Sequence, residues 1–186
     1  MNKNQIYGLI TLITITSPTF AGGVITFSGL LVDETCVTTV SSTGVTAANS
    51  PTLTLPTLAI SAFPSLNSTA GQIPFTIHLD GANCTLSTPT KYATPYFMYD
   101  TTKVNAQGRV INTNATTGNS VDIEILNSEN IFINLTANEL NQTTSVKTNV
   151  GTNKTDFSYY ARYYAKAYPV VAGPVLGTIT YNLIYK

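Results

Sequence analysis

Apolar and polar residues alternate along most of this chain, and no segment holds a helical period over three turns, so the sequence predicts an all-β fold. Ile73, Phe75, Ile77 and Leu79 fall on one face of an extended segment, with Thr76, His78 and Asp80 on the other. Val121, Ile123 and Ile125 alternate with Asp122 and Glu124. Asn127 to Asn130 then supply turn chemistry, and Ile131, Ile133 and Leu135 resume the pattern as the second arm of a hairpin. A longer strand follows, with Phe157, Tyr159, Ala161, Tyr163 and Ala165 on one face and Tyr160, Arg162, Tyr164 and Lys166 on the other. Past the turn Val171-Ala172-Gly173-Pro174, the apolar positions Val175, Ile179, Tyr181, Leu183 and Tyr185 carry the pattern to the end. The Thr/Asn/Gly-rich stretches 43–54 and 113–120 read as surface loops.

The opening residues read as an export signal. Lys3 gives a positive start, Ile6 to Ile15 form an apolar run too short to span a bilayer, and Thr19-Phe20-Ala21 places small residues where a signal peptidase reads. The expected organisation is a signal peptide over 1–21 and one mature domain, a length that supports a sizeable core. The mature N-terminus is itself strand-like: on an extended backbone Ile25, Phe27, Gly29 and Leu31 share a face. Most termini fray, yet both ends of this mature chain are strongly patterned. On its residues alone, 24–32 is better taken as the first strand of an ordinary sandwich.

Composition narrows the function classes. Nine basic and nine acidic residues make up 10% of the chain, against about a quarter in an average soluble domain. No basic patch offers a footprint for nucleic acid. Thr, Ser and Asn carry the polar surface instead. Two cysteines, Cys36 and Cys84, in an exported chain are expected to form a disulfide, because that compartment is oxidising. A thiolate metal site would need more ligands than these two and the single His78 supply. His78 has Asp80 two residues on, an arrangement equally expected of two solvated side chains, and Asp33-Glu34 and Asp122/Glu124 are the nearest paired carboxylates. The reading is therefore non-enzymatic, with no cofactor, no metal and no small-molecule substrate. A self-complete secreted β-sandwich that binds carbohydrate through its tyrosines is the alternative.

The N-terminal run GGVITFSGLLVDETC, the segments LPTLAISAF and PFTIHLDGANC, the mid-chain NATTGNSVDIEILNSENIFINL and the closing DFSYYARYYAKAYPVVAGPVLGTITYNLIYK together resemble the pilin subunits of chaperone–usher fibres, in particular the type 1 fimbrial family. Gly173, fourteenth from the end, and the penultimate Tyr185 fit the family's C-terminal pattern. The match is weakest over 91–111. The resemblance implies an incomplete immunoglobulin-like β-sandwich over 33–186 whose final strand is missing, leaving an apolar groove edged by Gly173, Val175, Ile179, Tyr181, Leu183 and Tyr185. It implies that a periplasmic chaperone fills the groove first and that the extension 22–32 of a neighbouring pilin subunit fills it later, with Ile25, Phe27, Gly29 and Leu31 entering successive pockets. An outer-membrane usher, a cell-surface fimbrium and a role in cell adhesion follow from the same resemblance, as does the Cys36–Cys84 spacing. The short extension ahead of Gly29 is similar to that of adaptor or minor subunits.

Overall fold

The computed structural model describes residues 37–43, 45–80, 92–117, 120–144, 147–148 and 154–185, all within one compact unit, Val32–Lys186. Strands β1 (Val37–Ser42), β2 (Val45–Ala48), β3 (Thr69–Asp80), β4 (Tyr92–Phe97), β5 (Val121–Leu126), β6 (Lys147–Thr148), β7 (Lys154–Ala165) and β8 (Tyr181–Tyr185) form two sheets. One has five strands in the order β2-β1-β3-β7-β5, the other three in the order β6-β4-β8. Every described ladder is antiparallel. The expected all-β, open immunoglobulin-like sandwich is the architecture observed.

Alternation translates directly into the core at β3 and β7. Phe75, Ile77 and Leu79 from β3 and Phe157, Tyr159 and Ala161 from β7 are buried, and β4 faces them with Ala93 and Phe97. Tyr159 stacks on Phe75 at 5.4 Å and meets Phe97 edge-on at 5.3 Å, which ties the two sheets together through aromatic packing. A second, smaller cluster of Phe63, Val121, Ala165 and Val170 closes one end of the sandwich.

Three local readings are corrected. Within the stretch expected as loop, Val45–Ala48 forms β2 on the edge of the large sheet; Thr46 and Ala48 are exposed there, so pairing to β1 is a backbone matter that leaves no hydrophobic signature. The arm after the Asn127 turn returns through one bridge, Leu126 to Phe132, and not as a full strand. Ile133 and Leu135 are buried but Ile131, which closes the turn, is exposed.

The third correction concerns β5. Asp122 and Glu124 occupy the positions that alternation assigns to solvent, yet both are buried. Glu124 sits between two arginines, with Arg109 Nη2 at 2.9 Å from Oε1 and Arg162 Nη2 at 2.8 Å from Oε2. Asp122 takes Lys166 Nζ at 2.8 Å, the Asn105 amide at 2.7 Å and the Asn112 backbone N–H at 3.2 Å. The Arg109 guanidinium lies 3.6 Å from the centre of the Tyr164 ring, with Phe132 at 5.0 Å. The segment 104–111 thus runs along the edge of β5, bridged through Val110 and Ile123, and brings Arg109 to Glu124; buried charge is tolerated because each carboxylate is paired and hydrogen-bonded.

Candidate functional site

Among the described residues an open, largely apolar groove of about 680 Å³ lies between the two sheets. Phe75, Ile77, Phe97, Val110, Ile125 and Ala161 form its floor; Thr38, Val40 and the stretch 49–53 with Leu55 line one wall, and residues 177–181 the other. Leu53, Leu55, Ile123, Ile179 and Tyr181 are only partly buried there, apolar side chains packed on the core. β8 explains why the groove is open. It pairs with β4 along one edge, from Phe97↔Tyr181 to Ala93↔Tyr185, and no described strand lies along the other. An unpaired edge beside exposed apolar side chains is a template for another strand.

The residues expected at the groove edge divide by position. Ile179 and Tyr181 line the groove, and Leu183 packs against the main core beside it. Tyr185 closes β8 opposite Ala93. Val175 packs on the small cluster at the end of the sandwich, and Gly173 sits in the turn before it. Gly173 has φ +151°, and an added Cβ would come within 2.9 Å of the Thr117 methyl, so a side chain is disfavoured there by both conformation and space. Gly177 lies in the groove wall, where a Cβ would be 2.9 Å from Val110 and 3.1 Å from Ile123. Ile25, Phe27, Gly29, Leu31, Cys36 and Cys84 lie outside the described residues, as do the signal and extension boundaries. The wall at 49–55 was missed by the sequence reading, although Leu53 and Leu55 alternating with Thr52 and Thr54 were its signal.

A second constellation lies on the opposite face of β1. His78 Nδ1 is 2.6 Å from Asp156 Oδ1, and His78 Nε2 is 2.6 Å from the Ser41 hydroxyl. A carboxylate only accepts, so Nδ1–H donates to Asp156; in the neutral ring Nε2 then accepts from the Ser41 hydroxyl. The register explains the meeting: Thr39, His78 and Asp156 are opposite one another on β1, β3 and β7, and Ser41 stands diagonal to His78. The carboxylate that meets Nδ1 is that of Asp156, on β7. The order serine, histidine, aspartate is that of a hydrolytic triad, but the Asp156 side chain is 63% exposed and the trio lies on the sheet's outer face, away from the groove.

Tyr159, Tyr163 and Tyr164 serve packing. Burial pushes the Tyr159 hydroxyl well above its usual range, and among the described residues that hydroxyl has no hydrogen-bond partner. Tyr163 packs edge-on to Phe63 and donates to the Pro56 carbonyl, and its hydroxyl is likewise raised by burial. Tyr164 lies under Arg109.

Comparison with known proteins agrees with this geometry. The chain is 29% identical over its full length to the F17 fimbrial protein of Escherichia coli, whose full length is also covered. It is 32% identical over 170 residues to the major fimbrial subunit SMF-1 of Stenotrophomonas maltophilia strain K279a, covering 89% of this chain and 94% of that one. In fold it is similar to the P pilus rod subunit PapA (TM-score 0.53, 15% identity, covering 73% of this chain and 92% of that one). An antigen and type I fimbria protein of Burkholderia pseudomallei is also similar (TM-score 0.51, 18% identity, covering 81% of this chain and 97% of that one). The family model described as fimbrial protein matches residues 25–186, and the chain therefore belongs to the fimbrial protein family, as a structural subunit of a surface fimbria that associates with other such subunits.

Proposed function

We propose that this subunit polymerises by donor-strand exchange: residues 22–32 of one copy lie along the free edge of β8 in the next and fill its groove. The observation that supports this most strongly is the open apolar groove beside an edge strand with no described partner. On an extended donor Ile25, Phe27 and Leu31 face the groove floor, with Gly29 at a shallow position between them. Burying those three side chains contributes roughly 5–8 kcal/mol before the donor's ordering cost. Before assembly, a periplasmic chaperone holds the same edge and an outer-membrane usher passes the subunit to the surface. Residues 1–21 direct export, and a Cys36–Cys84 disulfide forms on the way. The fibre serves adhesion. A 32% identical relative named as a major subunit favours the repeating shaft over an adaptor position.

A synthetic peptide of residues 22–32 should bind the chain lacking its own copy and turn an aggregating product into a soluble, cooperatively melting one. Gly29→Leu in the peptide should weaken that rescue, while Ser28→Ala, on the opposite face, should leave it intact. Equal rescue by both peptides would remove the pocket assignment. Deleting Tyr185 and Lys186 should abolish recovery of the subunit with its chaperone; unchanged recovery would argue against docking along β8.

The Ser41–His78–Asp156 alignment supports a second reading, a hydrolase. A serine-reactive fluorophosphonate probe separates the two: the fibre reading expects Ser41 to remain unlabelled, and stoichiometric labelling would make hydrolysis the better account.

A further inference from the structure

Two segments at one end of the sandwich are apolar and without charge. Residues 56–70 and 167–180 contain no Asp, Glu, Lys, Arg or His. They adjoin where β3 starts and β7 ends: Asn67 N–H donates to the Ala165 carbonyl at 2.8 Å, and Ala165 N–H to the Ser68 carbonyl at 2.9 Å. Ile60, Leu66, Tyr168, Val171 and Leu176 are about half exposed on this end, at 52%, 52%, 58%, 47% and 58%. Single exposed apolar residues are ordinary, but five on adjoining segments, bordered only by Lys166 whose charge is paired with Asp122, have the composition of a protein contact.

This end is also the mouth of the groove. The chain runs from Leu176, whose carbonyl accepts from Thr113 N–H at 2.7 Å, straight into the groove wall at 177–181. Every described strand pair is antiparallel; a donor that keeps this sense runs opposite to β8, and its C-terminal end then emerges beside Tyr181, where β8 begins. In the donating copy only residues 33–36 separate the segment 22–32 from β1 at Val37. Fully extended, that link reaches no more than about 18 Å. A donor in that sense holds its folded body against this end of the acceptor.

We propose that the charge-poor end around Leu66 and Tyr168 is a second subunit contact, the seat on which the body of the donating copy rests. The inference rests on the donor-strand reading and adds to it a contact that restrains the angle between successive subunits. With the seat engaged, adjacent sandwiches cannot pivot freely about the short link.

The test uses fibres assembled from the full chain, with the photoreactive residue p-benzoylphenylalanine replacing Leu66, Tyr168 or, as the groove control, Ile179. Irradiation should give covalent dimers from all three positions, with the 66 and 168 adducts mapping to the neighbour's opposite end and not to its own 66 and 168. Dimers from 179 alone, or adducts joining the same end of two copies, would overturn the seat while leaving the groove. Dimers from none of the three would overturn the groove reading and the seat with it. As a second measurement, Leu66→Asp combined with Tyr168→Asp should still assemble but should shorten the bending persistence length of the fibres in electron micrographs at least about twofold, because two desolvated apolar contacts are lost from a small interface. Unchanged stiffness would also overturn the seat.

Discussion

Glu124→Gln is the substitution whose effect the structure fixes most tightly. The Glu124 side chain is 4% exposed and meets a guanidinium at each oxygen, Arg109 through Nε and Nη2 at 2.9 Å and Arg162 through Nε at 2.9 Å and Nη2 at 2.8 Å. Glutamine keeps the shape but presents an NH₂ to one arginine and leaves two cations without a counter-charge. Removing one partner from a buried charged group costs about 3–5 kcal/mol, a large part of the roughly 5–15 kcal/mol that holds a domain together. Arg162 is 26% exposed, so water recovers part of that cost and the lower half of the range is expected. Arg109→Met should cost less, about 1–3 kcal/mol, because Glu124 keeps Arg162 and only one set of charged hydrogen bonds is lost. Urea unfolding of a monomer carrying a copy of residues 22–32 fused behind Lys186 measures both. A buried network is weakly screened, so the Glu124→Gln loss should persist at 1 M salt. A loss below about 1 kcal/mol, or one that disappears in salt, is the signature of a solvated surface pair and would refute the buried network.

Tyr159→Phe removes a buried hydroxyl with no partner among the described residues and should stabilise the monomer by about 1 kcal/mol; a loss of that size would mean that the hydroxyl is bonded. The same variant reads the pH dependence. Burial raises the folded-state pKa above the ordinary value of 10.0, so the unfolded chain gives up its proton first. Stability should then fall as pH rises above 10, and fall less in Tyr159→Phe, with Tyr163 supplying the remainder. Gly177→Val drives a side chain against Val110 and Ile123 in the groove wall and should lower affinity for the 22–32 peptide at least about tenfold; unchanged affinity in a titration would place the peptide elsewhere. Thiol labelling of denatured, unreduced protein should find neither Cys36 nor Cys84 free, and stoichiometric labelling would remove the disulfide.

Much of this fold is written in short-range pattern. β3, β5, β7 and β8 follow from two-residue alternation, because each lays one face on a common core. What alternation cannot express is a partner arriving from far along the chain. Asp122 and Glu124 read as a solvent face, and only the fold brings Arg109, Arg162 and Lys166 over them. His78 read as a solvated neighbour of Asp80, whereas the register hands it Ser41 and Asp156. β4 lies in the weakest stretch of the sequence match, and Thr94, Pro95 and Ala93 there are all buried without an alternating signal. Of the groove, the β8 wall was legible from Ile179 and Tyr181. The facing wall at 49–55 was not, since two leucines are too short a pattern to stand out from a threonine-rich loop.

Whether residues 22–32 act in a neighbouring copy is tested most directly by placing p-benzoylphenylalanine at Phe27, irradiating assembled fibres and mapping the adducts. The account predicts covalent dimers on denaturing electrophoresis, with the adduct on groove residues such as Phe75, Ile125 or Ile179 of the second copy. Adducts confined to monomers, with Phe27 joined to its own chain, or dimers joined outside the groove, would contradict it.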